Sequence, residues 1–165
     1  MSRSHARAPK GRRAYSSTPH HPGERVNLIA ALSTSGIQAP WLVTGGSVDT
    51  RAFVTYVEHV LCPTLWPGQI VILDNYSIHT SAEVRDLIAA RDCTLLFLPT
   101  YSPDLNPIEN AFSKLKALLR QAPAATRDAL SLAIKHACHA ISLQDTRAFF
   151  SHCGYTAQYF CKGLY

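Results

Sequence analysis

Short apolar runs bounded by turn residues occupy the first part of the chain. Val26–Leu32 and Ile37–Val43 are two such runs, and the polar segment Ser33–Gly36 separates them. This strand–turn–strand pattern predicts an antiparallel hairpin. Pro40 is expected at an edge or an irregularity of the second strand, because proline cannot donate a ladder hydrogen bond.

The next segments alternate between helical and strand patterns. A helix is predicted from about Thr50 to Cys62, with Ser47 or Asp49 as its N-cap. Gln69–Asp74 and Cys93–Leu98 are continuous apolar runs of the kind buried on both faces of a sheet. Between them, Thr80 and Glu83 form a capping-box pattern that begins another helix. Strand, helix and strand together predict a βαβ unit with a parallel pair and a right-handed crossover.

A proline-rich turn follows and leads into a helical region. Residues 100–107 read TYSPDLNP, and the two prolines restrict Ser102 and Asn106 to extended backbone. Asn106 suits an N-cap, with Pro107 at the first helical position. Three helices are predicted from here, the first ending before Pro123 and the others spanning Thr126–Cys138 and Gln144–His152.

Composition is that of one globular domain, with 47% hydrophobic and 16% charged residues, and no apolar run is long enough for a membrane span. The net charge of +5 favours polyanionic partners. Residues 1–25 are basic, with the single acid Glu24, and two interpretations stay open for them: a solvated tail or a phosphate-contacting arm. The expected organisation is therefore a basic arm over residues 1–25 and a domain over residues 26–165.

The cysteine pattern favours a reduced, cytosolic protein. The chain has five cysteines, an odd number, and no CxxC pair. A zinc site is disfavoured because the spacing of the candidate ligands matches no zinc finger or ribbon. Those ligands are His136, Cys138, His139, His152 and Cys153.

Asp74 and Glu109 are the carboxylates best placed for chemistry, with 34 residues between them. Asp74 stands at the carboxyl end of a buried strand, where open α/β sheets place ligand-binding groups. The competing interpretation is an Asx turn at Asp74–Asn75. Glu109 lies three residues after Asn106, so it could complete a capping box at the start of a helix. It is also expected to look toward the sheet edge rather than open solvent, and one carboxylate could serve both purposes.

Two carboxylates at such a position suit magnesium or manganese, and two ions about 4 Å apart would serve an in-line phosphoryl displacement. Two ions normally need a third carboxylate. His79 is expected either to position a substrate or a carboxylate, or to be a hydrogen-bonded structural histidine. Ser113, Lys116 and Arg120 are candidate phosphate contacts, with a solvated helix face as the alternative.

Two segments carry a specific family resemblance. LDNYSIH (73–79) and LPTYSPDLNPIENAFSKLK (98–116) resemble the mariner-related transposases of bacterial insertion sequences, which are DDE superfamily endonucleases. The resemblance extends over residues 26–121 and includes RAPKGRR at residues 7–13. It implies an α/β, RNase H-like fold.

The resemblance also implies roles for individual residues. Asp74 would be the second catalytic acid and Glu109 the third, both as ligands of a two-metal Mg²⁺ or Mn²⁺ site. Asn75, His79 and Asn106 would support that site. The implied reaction is metal-dependent nicking of DNA at element ends followed by strand transfer. The basic residues expected at the DNA are Arg7, Lys10, Arg12, Arg13, Lys114, Lys116 and Arg120.

The family's first catalytic Asp has no counterpart in this sequence. Glu24, Asp49 and Glu58 are the only acids before Asp74, and none lies in the matching segment. In the family's fold the strand bearing that Asp lies centrally, between the hairpin and the strand ending at Asp74. Its removal would expose backbone donors and acceptors. We therefore expect the chain alone to be inactive and marginally stable or prone to aggregation.

Two hypotheses of function follow. In the first, the chain is the carboxy-terminal catalytic part of a transposase, completed by an upstream-frame product and oligomeric when complete. In the second, it is a non-catalytic DNA-binding or inhibitory fragment; a decayed remnant is a variant of the first. Transposon ends and target DNA are the expected partners, with no membrane involved, and the expected location is the cytoplasm, at the nucleoid.

Overall fold

Two separate pairs of strands form the middle of the fold. The computed structural model describes residues 26–122 and 126–155. The strands β1 (Val26–Ser33) and β2 (Gly36–Thr44) pair antiparallel, and β3 (Ile70–Leu73) and β4 (Thr94–Phe97) pair parallel. No ladder joins one pair to the other in the described ranges. The predicted hairpin and the predicted parallel pair are both confirmed.

Five helices accompany these strands in the described part of the chain. Helix α1 continues into a π-helical turn, Val57–Leu61, and a 3₁₀ turn, Cys62–Thr64. A further 3₁₀ turn, Pro103–Leu105, precedes the third helix. The helices are α1 (Thr50–Tyr56), α2 (Ala82–Ala89), α3 (Pro107–Gln121), α4 (Arg127–His139) and α5 (Leu143–His152). None of the helices described here is long and apolar enough to cross a membrane.

Alternation along the strands divides the interior into two cores. On β3, Val71 and Leu73 pack with α1 and α2, whereas Ile70 and Ile72 pack with α3 and α5. Residues on β1 divide in the same way, because successive side chains of a strand point to opposite faces. Both strand pairs therefore form a middle layer between two helical layers. We call the side with α1 and α2 the first core and the side with α3, α4 and α5 the second core.

The hairpin contains an irregularity at its centre. Ile29 pairs with Trp41 and Ala31 with Gln38, so Ala39 and Pro40 together lie opposite Ala30. Ala39 has a φ of +48°, a left-handed conformation that is uncommon outside glycine. Pro40 is exposed at this bulge, as its missing N–H requires.

Two local predictions need correction, while the predicted Asp49 cap is confirmed by its bond to the Ala52 N–H at 2.8 Å. The predicted helix from about Thr50 to Cys62 is confirmed, although after Tyr56 it continues as π-helical and 3₁₀ turns rather than as regular α-helix. The cap of α2 is Ser81, which accepts from the Val84 N–H, and not Thr80, whose hydroxyl donates to the Ser77 carbonyl. Strand β4 is covered on one face only, since Leu96 is 48% exposed.

Candidate catalytic site

Asp74 follows directly on β3 and is held by two contacts to one oxygen. Its Oδ1 accepts from the Tyr76 N–H at 3.1 Å and lies 2.6 Å from His79 Nδ1. The first contact closes the Asx turn that the sequence left open as an alternative. Oδ2 has no hydrogen-bond partner among the described residues. The turn and a ligand role are therefore compatible, because one oxygen is fixed and the other is available.

The His79 ring is bound to Asp74 through Nδ1 and also packs against aromatic side chains. Its ring lies 4.2 Å from the Phe53 ring, centroid to centroid, and meets Tyr76 edge-on at 6.0 Å. The side chain is only 20% exposed, against 45% for Asp74. A histidine in this position uses Nδ1–H as the donor to the carboxylate, which fixes the ring's orientation. This geometry supports the alternative in which His79 positions a carboxylate, that of Asp74.

Glu109 lies in the first turn of α3 with an exposed side chain. Its N–H donates to the Asn106 carbonyl at 3.2 Å. The Asn106 N–H donates instead to the Pro103 carbonyl at 2.9 Å, and the Asn106 side chain makes no capping bond. The capping-box alternative for Glu109 is therefore wrong. Its carboxylate has no hydrogen-bond or ion-pair partner within residues 26–122 and 126–155 and is free to bind a cation.

The loops that follow β3 and β4 are tied together beside these carboxylates. Asn75 Nδ2 donates to Thr100 Oγ1 at 3.3 Å, which joins the two loops. The Tyr155 hydroxyl donates to the Leu105 carbonyl at 2.9 Å and anchors the turn that precedes α3. Tyr101 has a φ of +60° and is 98% exposed at the surface of the second loop. These bonds hold the turn that leads to Glu109.

A cavity of about 290 Å³ separates the hairpin from the parallel pair. Residues 28–32 of β1, residues 71–73 of β3 and the following Asp74 line it, and its surface is mostly apolar. The structure brings four of the residues singled out in the sequence to this one cavity: Asp74, His79, Asn106 and Glu109. Asn75 is exposed beside them and does not line it.

The two carboxylates of the site provide part of the ligand set that a hard cation requires. Asp74 and Glu109 offer the carboxylate oxygens that Mg²⁺ and Mn²⁺ prefer, with waters and a substrate phosphate able to fill the remaining positions. Over the residues the structure describes, no three side chains of His, Cys, Asp or Glu converge into a metal-binding group. The described site thus has two carboxylates where a pair of ions normally needs three.

The basic residues expected at the DNA divide into three groups. Lys116 and Arg120 are exposed on α3. The Lys114 ammonium lies 2.6 Å from Asp145 Oδ1 of α5, so it is engaged within the protein. Hydrogen bonds from Lys114 and then Ser142 lower the pKa of Asp145 to about 2. Arg7, Lys10, Arg12 and Arg13 lie outside the described residues.

Comparison of the sequence with protein families gives a match over most of the chain. The DDE superfamily endonuclease family matches residues 1–131. The chain therefore belongs to the DDE superfamily endonucleases. A search of the curated proteins found no match.

Solved structures of the Mos1 mariner transposase share the fold. The Mos1 strand transfer complex aligns with a TM-score of 0.69 at 19% identity, covering 93% of this chain and 46% of that one. A pre-cleavage Mos1 transpososome gives 0.71 at 17%, covering 98% and 50%. The Mos1 catalytic domain with raltegravir and Mg gives 0.62 at 16%, covering 79% and 78%. The predicted RNase H-like fold is confirmed, and this chain spans about half the length of the transposase in the first two complexes.

Three contributors to the site were not anticipated from the sequence. Phe53 supports the His79 ring, Thr100 accepts from Asn75, and Tyr155 anchors the Leu105 turn. Phe53 was expected only as an apolar residue of a helix face. No local pattern signals any of these contacts, because each joins segments distant in the sequence.

Proposed function

We propose that this chain is the catalytic portion of an insertion-sequence transposase, which nicks DNA and transfers strands once an upstream segment completes it. The observation that carries the proposal is the cavity shared by Asp74 and Glu109 in a DDE superfamily endonuclease. The DNA complexes of the similarly folded Mos1 transposase support the same reaction class.

The described residues would divide the chemistry between them. Asp74 Oδ2 and the Glu109 carboxylate would hold Mg²⁺ or Mn²⁺, and His79 would keep Asp74 in the orientation that leaves Oδ2 accessible. A divalent ion bound there supplies charge stabilisation at the phosphoryl group and activation of the attacking oxygen. Mos1 structures containing Mg or Mn support this choice of metal.

The same site would be incomplete in the isolated chain. Two carboxylates can hold one ion, but the two-ion arrangement requires a further acid that would come from the upstream segment. We therefore propose an inactive free chain and an active completed one, assembled as an oligomer on transposon ends and target DNA. The paired-end complex of Mos1 supports such an assembly.

The proposal also covers the domain organisation of the chain and its location in the cell. Residues 1–25 would be a basic arm that contacts phosphates, and residues 26–165 the partial catalytic domain with its C-terminal helices. The net charge of +5 and the exposed Lys116 and Arg120 support binding to DNA. A DNA-bound chain would act in the cytoplasm, at the nucleoid.

A nicking assay tests the proposal. The chain is co-expressed with the polypeptide encoded upstream and incubated with a supercoiled plasmid that carries the element. We expect nicks at the element ends with Mg²⁺ or Mn²⁺ and none with EDTA. Asp74→Asn and Glu109→Gln should each lower the rate by about 1,000-fold or more while DNA affinity stays nearly intact.

Glu83→Gln is the matched control, since Glu83 is an exposed carboxylate at the start of α2. It should nick at the parent rate. The rival function is a non-catalytic DNA-binding or inhibitory fragment, favoured only by the basic surface. Under that rival, the Asp74 and Glu109 variants would be silent and only charge-removing changes would alter DNA binding.

A further inference from the structure

We propose that the segment Cys153–Tyr155, called the α5 terminus below, sets the position of the Glu109 carboxylate, with Tyr155 as a positioning residue of the candidate site. This inference rests on the proposed function and adds residues that lie outside both sequence motifs. Because Asp74 and Glu109 would share one ion, the affinity for Mg²⁺ or Mn²⁺ depends on how firmly the first turn of α3 is held.

The α5 terminus ends its helix with a left-handed glycine. Gly154 has a φ of +86°, and its N–H donates to the Ser151 carbonyl at 3.1 Å. The Tyr155 N–H donates to the Phe150 carbonyl at 3.0 Å, and the two rings meet edge-on with their centroids 5.7 Å apart. These two backbone bonds and the apolar contact are the features of a Schellman motif. The backbone therefore fixes where the Tyr155 side chain leaves the helix.

Tyr155 connects the α5 terminus to the turn before α3. Its hydroxyl donates to the Leu105 carbonyl at 2.9 Å. Leu105 closes a 3₁₀ turn immediately before Asn106, whose carbonyl accepts from the Glu109 N–H at 3.2 Å. Tyr155 also lines the same cavity as Glu109. One phenolic hydrogen bond thus joins the end of α5 to the turn that carries the candidate catalytic carboxylate.

A second contact reaches α3 on the other side of Glu109. Asn110 Nδ2 donates to Cys153 Sγ at 3.6 Å, and Cys153 is buried. Lys114 and Asp145 make a third contact at 2.6 Å, more than one helical turn beyond Glu109. The partners run in opposite sequence order along the two segments, so α5 lies antiparallel to α3. The α5 terminus consequently meets α3 at the turn that holds Glu109.

The bond from Tyr155 contributes more to position than to stability. Leu105 is 40% exposed, so water can hydrate its carbonyl when the phenol is removed, and the net loss of stability is small. The Glu109 carboxylate has no hydrogen-bond or ion-pair partner of its own among the described residues, so its place is set by the turn that carries it. Releasing that turn should therefore alter metal binding without unfolding the protein.

Mn²⁺ binding to the full chain tests the proposal, measured by electron paramagnetic resonance without DNA. Tyr155→Phe removes only the phenolic hydroxyl, and we expect the Mn²⁺ affinity to fall by about 3- to 10-fold, the range that one hydrogen bond supports. The Glu109 amide should exchange with solvent faster by a similar factor, because the turn is released from α5. Tyr101→Phe removes the hydroxyl of an exposed tyrosine and is the matched control, which should change neither quantity.

The glycine gives a graded test of the same terminus. Gly154→Val places a β-branched residue at a φ of +86°, where it is strained, whereas asparagine tolerates left-handed backbone. No heavy atom of the described residues lies within 4 Å of the position that a Cβ would occupy, so backbone conformation alone separates the two variants. Gly154→Val should weaken Mn²⁺ binding at least as much as Tyr155→Phe, and Gly154→Asn should retain most of the parent affinity.

Two further variants separate positioning from general stability. Lys114→Ala breaks the contact farther along α3 and should lower the unfolding temperature without changing the Mn²⁺ affinity. In a Glu109→Gln background, Tyr155→Phe should cause no further loss of affinity, because both changes act through the same carboxylate. The proposal is overturned if Tyr155→Phe binds Mn²⁺ as the parent does, if Lys114→Ala weakens binding equally, or if the effect of Tyr155→Phe persists in full in the Glu109→Gln background.

These measurements use no DNA, so their failure is distinguishable from failure of the proposed function. Metal binding that depends on Tyr155, without nicking by the completed protein, would overturn the proposed function alone. Nicking that depends on Asp74 and Glu109, with a Mn²⁺ affinity independent of Tyr155, would overturn this inference alone.

Discussion

His79 Nδ1 lies 2.6 Å from Asp74 Oδ1, and the face of the same imidazole packs against Phe53 of α1. The orientation of the candidate catalytic carboxylate is thereby tied to the first core and not only to the loop that bears it. Asp74 Oδ2 is left available as a result. This relationship makes His79 a positioning residue and leads to the first prediction.

Replacing His79 should impair metal use more than it impairs folding. In the completed protein we expect His79→Ala to lower nicking by about 10- to 100-fold, with a higher Mg²⁺ concentration needed for half-maximal rate. His79→Gln should recover part of the loss if its amide reaches Asp74. His59→Ala changes an exposed histidine and is the control. A His79→Ala protein with unaltered metal dependence would contradict the positioning role.

The ion pair between α3 and α5 predicts a pH dependence of stability. Lys114 and Ser142 lower the pKa of Asp145 to about 2, below its ordinary value near 4. Between those two values the unfolded chain binds more protons, so this stability is present above about pH 4 and is lost as the pH falls toward 2. Asp145→Asn should flatten the unfolding free energy over that window, whereas Asp86→Asn, on the exposed face of α2, should not. Chemical denaturation from pH 2 to pH 5 measures both.

Salt dependence of DNA binding should distinguish the three basic residues of α3. Lys116→Ala and Arg120→Ala should each reduce the slope of log affinity against log salt by about 0.9 if the residue contacts a phosphate of duplex DNA. Lys114→Ala should chiefly lower stability, because that ammonium is engaged with Asp145. A titration of each variant from low to moderate salt gives the slopes. Equal slopes for the parent, Lys116→Ala and Arg120→Ala would exclude α3 from the interface.

The isolated chain should be marginally stable. Its two strand pairs are not hydrogen-bonded to one another, and an apolar cavity of about 290 Å³ lies between them. The apolar residues that line this cavity lack the packing contacts that a close-packed interior would give them. We expect broad thermal unfolding or aggregation of the free chain and a sharper, higher transition when the completing polypeptide is bound. A soluble monomer with cooperative unfolding on its own would contradict this expectation.

Local patterns in the sequence were sufficient for most of the fold. The turn residues between two apolar runs predicted the hairpin, and Pro40 lies at its bulge as its chemistry requires. The prediction of Thr80 as the cap of α2 was wrong because the neighbouring Ser81 hydroxyl suits the position equally well, and only the backbone conformation selects between them. The change from α-helical to π-helical hydrogen bonding after Tyr56 has no signal in the sequence.

Only part of the candidate site could be predicted from the sequence. The motifs located Asp74, His79 and Glu109, and the structure brings them to one cavity. The engagement of Lys114 by Asp145 and the support of His79 by Phe53 depend on contacts between distant segments. Periodicity identifies a helix face, but it does not reveal which other element packs against that face.

The most direct test of the central claim is the nicking rate of the completed protein with Asp74→Asn, Glu109→Gln and both changes together. If the two carboxylates act as one site, each single variant should lose nearly all metal-dependent nicking and the double variant should be no worse than either. DNA affinity should stay near the parent value throughout. A single variant that nicks at the parent rate would contradict the assignment of Asp74 and Glu109 as the catalytic pair.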